Sequence, residues 1–164
     1  MDNTTTAPEI EDEYAWVFFG RSAEYYLGLW QLRQRGKYIH FNVAAFFFGF
    51  TWLAYRRMYR PLVLVFLLAY AEASIEVVLL GEERGQATTI VVGLIQASLL
   101  GLFGNSLYLW DAERKIRKIL RKDLPKDETL TRLRRAGGTS LWFLAVLLLL
   151  AGLVVWLAKS MGSQ

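Results

Sequence analysis

An all-α, polytopic membrane protein is predicted by two observations: three long runs nearly free of charge, and the placement of the basic residues between them. The runs are 62–80, 87–110 and 140–158. Each is close to the ~20 apolar residues a helix needs to cross a hydrocarbon core of about 30 Å. Of the 19 Lys and Arg residues, seven precede the first run and ten lie between 114 and 135, leaving only Arg84 and Lys159 elsewhere. Because basic loops stay in the cytoplasm, this predicts three transmembrane helices with the N-terminus and the 111–136 loop inside, and the 81–86 turn and C-terminus outside. A soluble all-helical protein is the competing class. The run 141–158 is apolar all round, with no polar face for water, and argues against it.

Taken in order, residues 1–16 are expected to form a disordered acidic cytoplasmic tail, since Glu9, Glu11, Asp12 and Glu13 dominate it and no apolar core of a signal peptide follows a basic start. Asn3-Thr4-Thr5 matches a glycosylation sequon, which in a cytoplasmic tail has no consequence. Residues 17–60 should hold cytoplasmic and interfacial helices. Ser22 is placed as the N-cap of a short helix ending near Gly36, with Glu24 in its first turn and Arg33 and Arg35 at its end. Ala23, Tyr26, Leu27 and Trp30 keep helical spacing, so this helix either lies on the membrane surface or packs on another cytoplasmic element.

The segment 43–55 is intensely apolar but only 13 residues long, about 20 Å as a helix, too short to span. Basic residues flank it on both sides, so an interfacial or re-entrant helix is expected. Pro61 should then open the next helix at its first position, where a missing amide proton costs little. The membrane domain, 61–158, carries the three spans and the basic cytoplasmic helices of 111–136. The second span should continue as a basic helix with a Glu113–Arg117 pair, end at Leu124-Pro125, and be followed by a short helix over 127–135 that stops at Gly137-Gly138. Trp142 and Trp156 mark the ends of the last span, and 159–164 form a periplasmic tail.

The 164 residues leave room for one membrane domain and no separate soluble enzyme domain. With no cysteine and a single histidine, His40, disulfides, thiolate metal sites and most imidazole metal centres are excluded, and no cofactor is expected. The net charge of +4 follows from the loop bias, so anionic phospholipid headgroups are the first expected partner, and nucleic acid is not expected.

Three constellations stand out. Glu72 and Glu76 are one turn apart inside the first span, where carboxylates are costly enough to suggest a function. Glu72 and Gln96 lie at similar depth from the outer turn, which allows a protonated Glu72 to hydrogen-bond Gln96. Glu76, nearer the outer surface, could reach water or Arg84. Together with Asn105 these residues could instead form a proton or cation path, completed by several copies around a symmetry axis. Small residues form the second set: Ala69 and Ala73 on the first span, and Gly93, Ala97 and Gly101 on the second, a spacing that permits close helix contact. Arg56, Arg57, Arg60, Arg114, Lys115, Arg117, Lys118, Arg121 and Lys122 are the third, a surface for lipid headgroups or for a cytoplasmic protein partner.

Two blocks carry a resemblance. The first contains the run FN-x-AAFFFG-x-x-W-x-x-YR-x-MY over 41–59; the second, 101–119, reads GLFGNSLYLWDAERKIRKI. Together, over about 18–120, they resemble a bacterial membrane-protein family known only as a domain of unknown function. Val43, Phe50-Thr51, Asp111 and Glu113 depart from its usual pattern. The resemblance implies a bacterial inner-membrane protein and supplies no activity, substrate or catalytic residue; it does not specify the last span.

No nucleophile with a base and no phosphate-cradling loop is evident, so an enzyme is not expected. The expected function is a non-enzymatic inner-membrane scaffold, adaptor or sensor subunit that assembles with itself or with another membrane subunit. An oligomeric channel or transport unit using Glu72 and Glu76 is the alternative.

Overall fold

The computed structural model describes residues 10, 12–80 and 85–140, and beyond them only Trp142, Ala145, Val146, Leu149, Gly152 and Trp156. The expected third span, the 81–84 part of the outer turn and the terminal tail therefore lie almost wholly outside the described residues. Among the described residues, the α-helices in order are α1 (Asp12–Phe19), α2 (Ala23–Gln34), α3 (Val43–Tyr55), α4 (Tyr59–Leu80), α5 (Gln86–Leu120) and α6 (Lys126–Ala136). A single 3-10 turn, Gly20–Ser22, joins the first two.

The first helix corrects the expected tail, because α1 begins at Asp12, inside the stretch assigned to disorder. Its charge misled. Asp12 and Glu13 occupy the first turn, where carboxylates offset the positive end of the helix, and Ala15, Phe18 and Phe19 bury one face at helical spacing. The Phe19 ring stacks on Tyr26 at 5.3 Å and approaches Tyr108 at 5.7 Å. Ser22 stands at the start of α2 but caps nothing with its side chain; its hydroxyl instead accepts from Arg56 at 3.5 Å. With Ala23, Tyr26 and Leu29 buried, α2 packs within the helical head. Gly36, at φ +79°, ends it by letting Lys37 N reach Leu32 O at 3.0 Å.

The third helix has the expected bounds and length, 13 residues. Asn42 caps it by accepting from Ala45 N at 2.8 Å. Gly49, at φ +45° and ψ −118°, breaks it in the middle, a conformation that only glycine adopts without strain. Its other end closes on Arg57, a non-glycine residue at φ +56°, with Met58 N bonded to Leu53 O at 2.9 Å. Pro61 is not the first helical residue, since α4 begins two positions earlier at Tyr59. It stays within the first turn, where amide protons have no helical partner, so no bond is lost.

Two helices, α4 and α5, are long and apolar enough to cross a membrane. Their apolar side chains point outward: Val63, Leu64, Phe66, Leu67, Ile90, Val91, Leu94 and Ile95 are all exposed. A core helix of a soluble domain buries such residues, and these do not. The core sits instead at the other end of the molecule. There α5, 35 residues and about 52 Å long, runs unbroken from its apolar half into a head made with α1, α2, α3 and α6. Ala112 and Ile116 are fully buried there, together with Leu53, Met58 and Leu133.

Candidate functional site

The first candidate lies between the two long helices. Gln96 Nε2 donates to Glu72 Oε2 at 2.9 Å, as their matched depth suggested. The pair borders an apolar cavity of about 370 Å³ lined also by Phe50, Ala69, Leu100 and Phe103. Glu76 does not open to water as expected from its position: it is only 9% exposed. Arg84, its other expected partner, lies outside the described residues.

Asn105 is not part of this site. Nine residues from Gln96, it sits about 13 Å further along α5, and its amide is fully engaged elsewhere. Its Nδ2 donates to the Tyr25 hydroxyl at 3.0 Å and to His40 O at 3.1 Å, while its Oδ1 accepts from Asn42 Nδ2 at 2.7 Å. Asn42 N in turn donates to Gly101 O at 2.7 Å. These two asparagines fasten the start of α3 to α5. The polar residues expected to form one path divide into a pair between α4 and α5 and a structural clamp.

The small-residue stripe divides too. A Cβ on Gly101 would lie 2.7 Å from the Phe41 ring and 3.1 Å from Phe46 Cβ, and one on Gly104 would lie 2.8 Å from Ala45 Cβ. These two glycines let α3 lie against α5, a contact within the chain. Gly104 went unnoticed because it is outside the four-residue repeat. Gly93 meets nothing within 4 Å, and Ala69, Ala73 and Ala97 are half-buried.

Of the basic residues, Arg56 is turned onto aromatic rings. Its guanidinium lies over the rings of Tyr26 (5.0 Å), Tyr108 (5.4 Å) and Tyr55 (5.9 Å). Burial pushes the Tyr26 phenol above its ordinary range, with the nearby Arg56 charge opposing the shift. Arg56→Ala is expected to lower stability by about 2 kcal/mol through loss of these cation–π contacts, whereas Lys122→Ala, on an exposed side chain, should leave it unchanged. The melting midpoint of the purified chain in detergent checks both, and equal midpoints for Arg56→Ala and the parent would refute the cage.

Arg57 is likewise a tie: its Nη1 donates to Arg135 O at 2.6 Å, and its own carbonyl accepts from Lys115 Nζ at 2.8 Å. Asp111, 1% exposed, holds Arg114 at 2.9 Å and Lys115 at 2.7 Å. The sequence signal for it was a carboxylate three and four residues before two cations. Glu113 holds Arg117 at 3.0 Å, the expected pair, and also Arg33 at 3.5 Å. Arg60, Lys118 and Arg121 have no carboxylate in ion-pair reach among the described residues. They line a cleft of about 690 Å³ with Arg57, Tyr59, Asp111, Arg114, Lys115 and Arg117. Lys122 lies outside that lining.

The chain belongs to the family described as Protein of unknown function (DUF2628), whose model matches residues 13–114. The match includes all of α2, α3 and α4, the clamp, the Arg56 cage and the Glu72–Gln96 pair. Among curated proteins and among solved structures nothing matches.

Proposed function

We propose that this DUF2628 chain is a non-enzymatic scaffold, adaptor or sensor subunit of a bacterial inner membrane, with its helical head in the cytoplasm and three spans anchoring it, the third over 140–158. The continuity of α5 carries the reading. One unbroken helix joins an exposed apolar half to the head core, where Tyr108, Ala112 and Ile116 are buried. A tilt or shift of the span is thereby conveyed to the head without a joint, and a head so coupled suits an adaptor. The basic residues of α5 and α6 favour a cytoplasmic head. A half-buried Glu72 inside the first span, with only its Oε2 held by Gln96, is better faced by protein than by lipid on its open side, which supports assembly with further copies or with another membrane subunit.

Cysteines at Arg35 and Thr131 in the head should be shielded from a membrane-impermeant maleimide in spheroplasts, while one at Gly85, in the outer turn, should label. Labelling of the head from outside would overturn the orientation. Mass spectrometry from native membranes should give an oligomer or a complex, and a strictly monomeric chain would refute the assembly. A second reading, a proton or cation conductor, has the Glu72–Gln96 bond within the span in its favour. Proteoliposomes that pass protons, and stop when Glu72→Gln and Glu76→Gln are combined, would replace the scaffold reading.

A further inference from the structure

We propose that the basic cleft is a one-to-one site for an anionic glycerophospholipid, with the headgroup phosphate held by Arg60, Lys118 and Arg121 and an acyl chain lying along α4. Seven cationic side chains and a single carboxylate, Asp111, line the cleft. That carboxylate is already engaged by Arg114 and Lys115, and Arg57 points its guanidinium at the Arg135 carbonyl. Arg117 is held by Glu113, and the remaining three, Arg60, Lys118 and Arg121, repel one another across the cleft, a cost that a bound anion relieves. Phosphate oxygens suit this set, because each accepts charge-assisted hydrogen bonds from guanidinium and ammonium groups.

What makes the ligand a lipid is the neighbouring surface. Tyr59 and Arg60 line both the cleft and an adjoining apolar groove of about 430 Å³, whose other walls are Val63, Leu64 and Leu67 of α4. These three side chains are exposed and begin one turn beyond Arg60, at the level where a span leaves the headgroups. An amphiphile with a phosphate at one end fills both spaces; a soluble phosphate or an acidic peptide fills only the first. A zwitterionic headgroup brings its own cation into the cleft and is disfavoured. The inference rests on the membrane reading above.

The full-length chain in detergent, titrated with phosphatidylglycerol and with phosphatidylcholine and read by native mass spectrometry, tests it. One phosphatidylglycerol per chain is expected, with phosphatidylcholine weaker by about tenfold or more. Combining Arg60→Gln, Lys118→Gln and Arg121→Gln should cut phosphatidylglycerol affinity by about a hundredfold, at ~1 kcal/mol per charge. Arg21→Gln, Arg35→Gln and Lys37→Gln remove the same charge from exposed positions outside the cleft and should change it little. If the first triple is not monodisperse, Arg121→Gln alone carries the comparison, with a loss of about fivefold.

Equal losses from both triples would mean diffuse attraction and would overturn the site. Displacement by millimolar glycerol 3-phosphate would mean a soluble anion and would overturn the lipid assignment. Release of the chain from membranes by alkaline carbonate would instead overturn the membrane reading, whereas a retained chain without headgroup preference would overturn the lipid site alone.

Discussion

Gly137→Ala should destabilise the protein by about 3 kcal/mol, one of the two largest effects expected of a single substitution. A Cβ at this position would fall deep inside the van der Waals contact of the Phe18 carbonyl oxygen and 2.8 Å from its carbon. Backbone atoms cannot rotate aside as a side-chain end can, so the end of α6 must move away from α1. That movement also strains the bonds from Gly138 N to Phe18 O at 3.3 Å and from Arg57 Nη1 to Arg135 O at 2.6 Å. Overpacking of a filled interior costs about 1–3 kcal/mol, and the rigid neighbour puts this case at the upper end. Gly137 itself has φ −86° and ψ −158°, open to any residue, so the effect is purely steric.

Gly138→Ala makes the informative comparison. It sits at φ +71° with nothing within 4 Å of an added Cβ, so it should cost only the ~1 kcal/mol of a left-handed alanine. The temperature at which half of each variant leaves the monodisperse peak in detergent ranks them. A Gly137→Ala midpoint at or above that of Gly138→Ala would refute the close α1–α6 approach.

Helices α2 to α6 were legible in the sequence because apolar length and periodicity are local properties. The bounds of α3 follow from Asn42 and Arg56-Arg57 on either side of an apolar run, and α5 continues past Trp110 because nothing between Trp110 and Leu120 breaks a helix. The Glu72–Gln96 bond was legible for a related reason: two helices joined by a short turn place equal distances from it at equal depth. The head was not legible. Its core joins Phe19, Tyr26, Leu53, Tyr108 and Leu133, which lie far apart in the chain, and no local pattern reports such contacts. For the same reason basic residues were read by count, and the count could not separate Arg56, caged by tyrosines, and Arg57, bonded to a carbonyl, from Arg60 and Arg121, which face the cleft. The acidic run before Ala15 hid a helix because charge outweighed the Ala15, Phe18, Phe19 spacing.

Asn105→Leu is the second large effect, and it discriminates between a clamp and an ion path. Leucine has the branching and the number of side-chain heavy atoms of asparagine but bulkier methyl ends, so the substitution removes the hydrogen bonds, leaves no cavity and adds some crowding. Tyr25 is half exposed, and its hydroxyl recovers a partner outside the clamp. Asn42 Nδ2 and the His40 carbonyl are the groups left stranded. A buried donor or acceptor without a partner costs about 1–3 kcal/mol, so a loss of about 3 kcal/mol is expected. The damage should reach α3, because the same Asn42 side chain caps its first turn through Ala45 N. Asn105→Asp keeps an acceptor for Asn42 Nδ2 but sets a carboxylate against the His40 carbonyl, and should fall between leucine and the parent. Glu72→Gln retains an amide–amide bond to Gln96 and should leave stability nearly unchanged. Melting midpoints in detergent give this ranking. If Asn105 served an ion path and no clamp, Asn105→Leu would melt with the parent while abolishing proton flux through proteoliposomes, and that outcome would reverse the structural assignment of the asparagine pair.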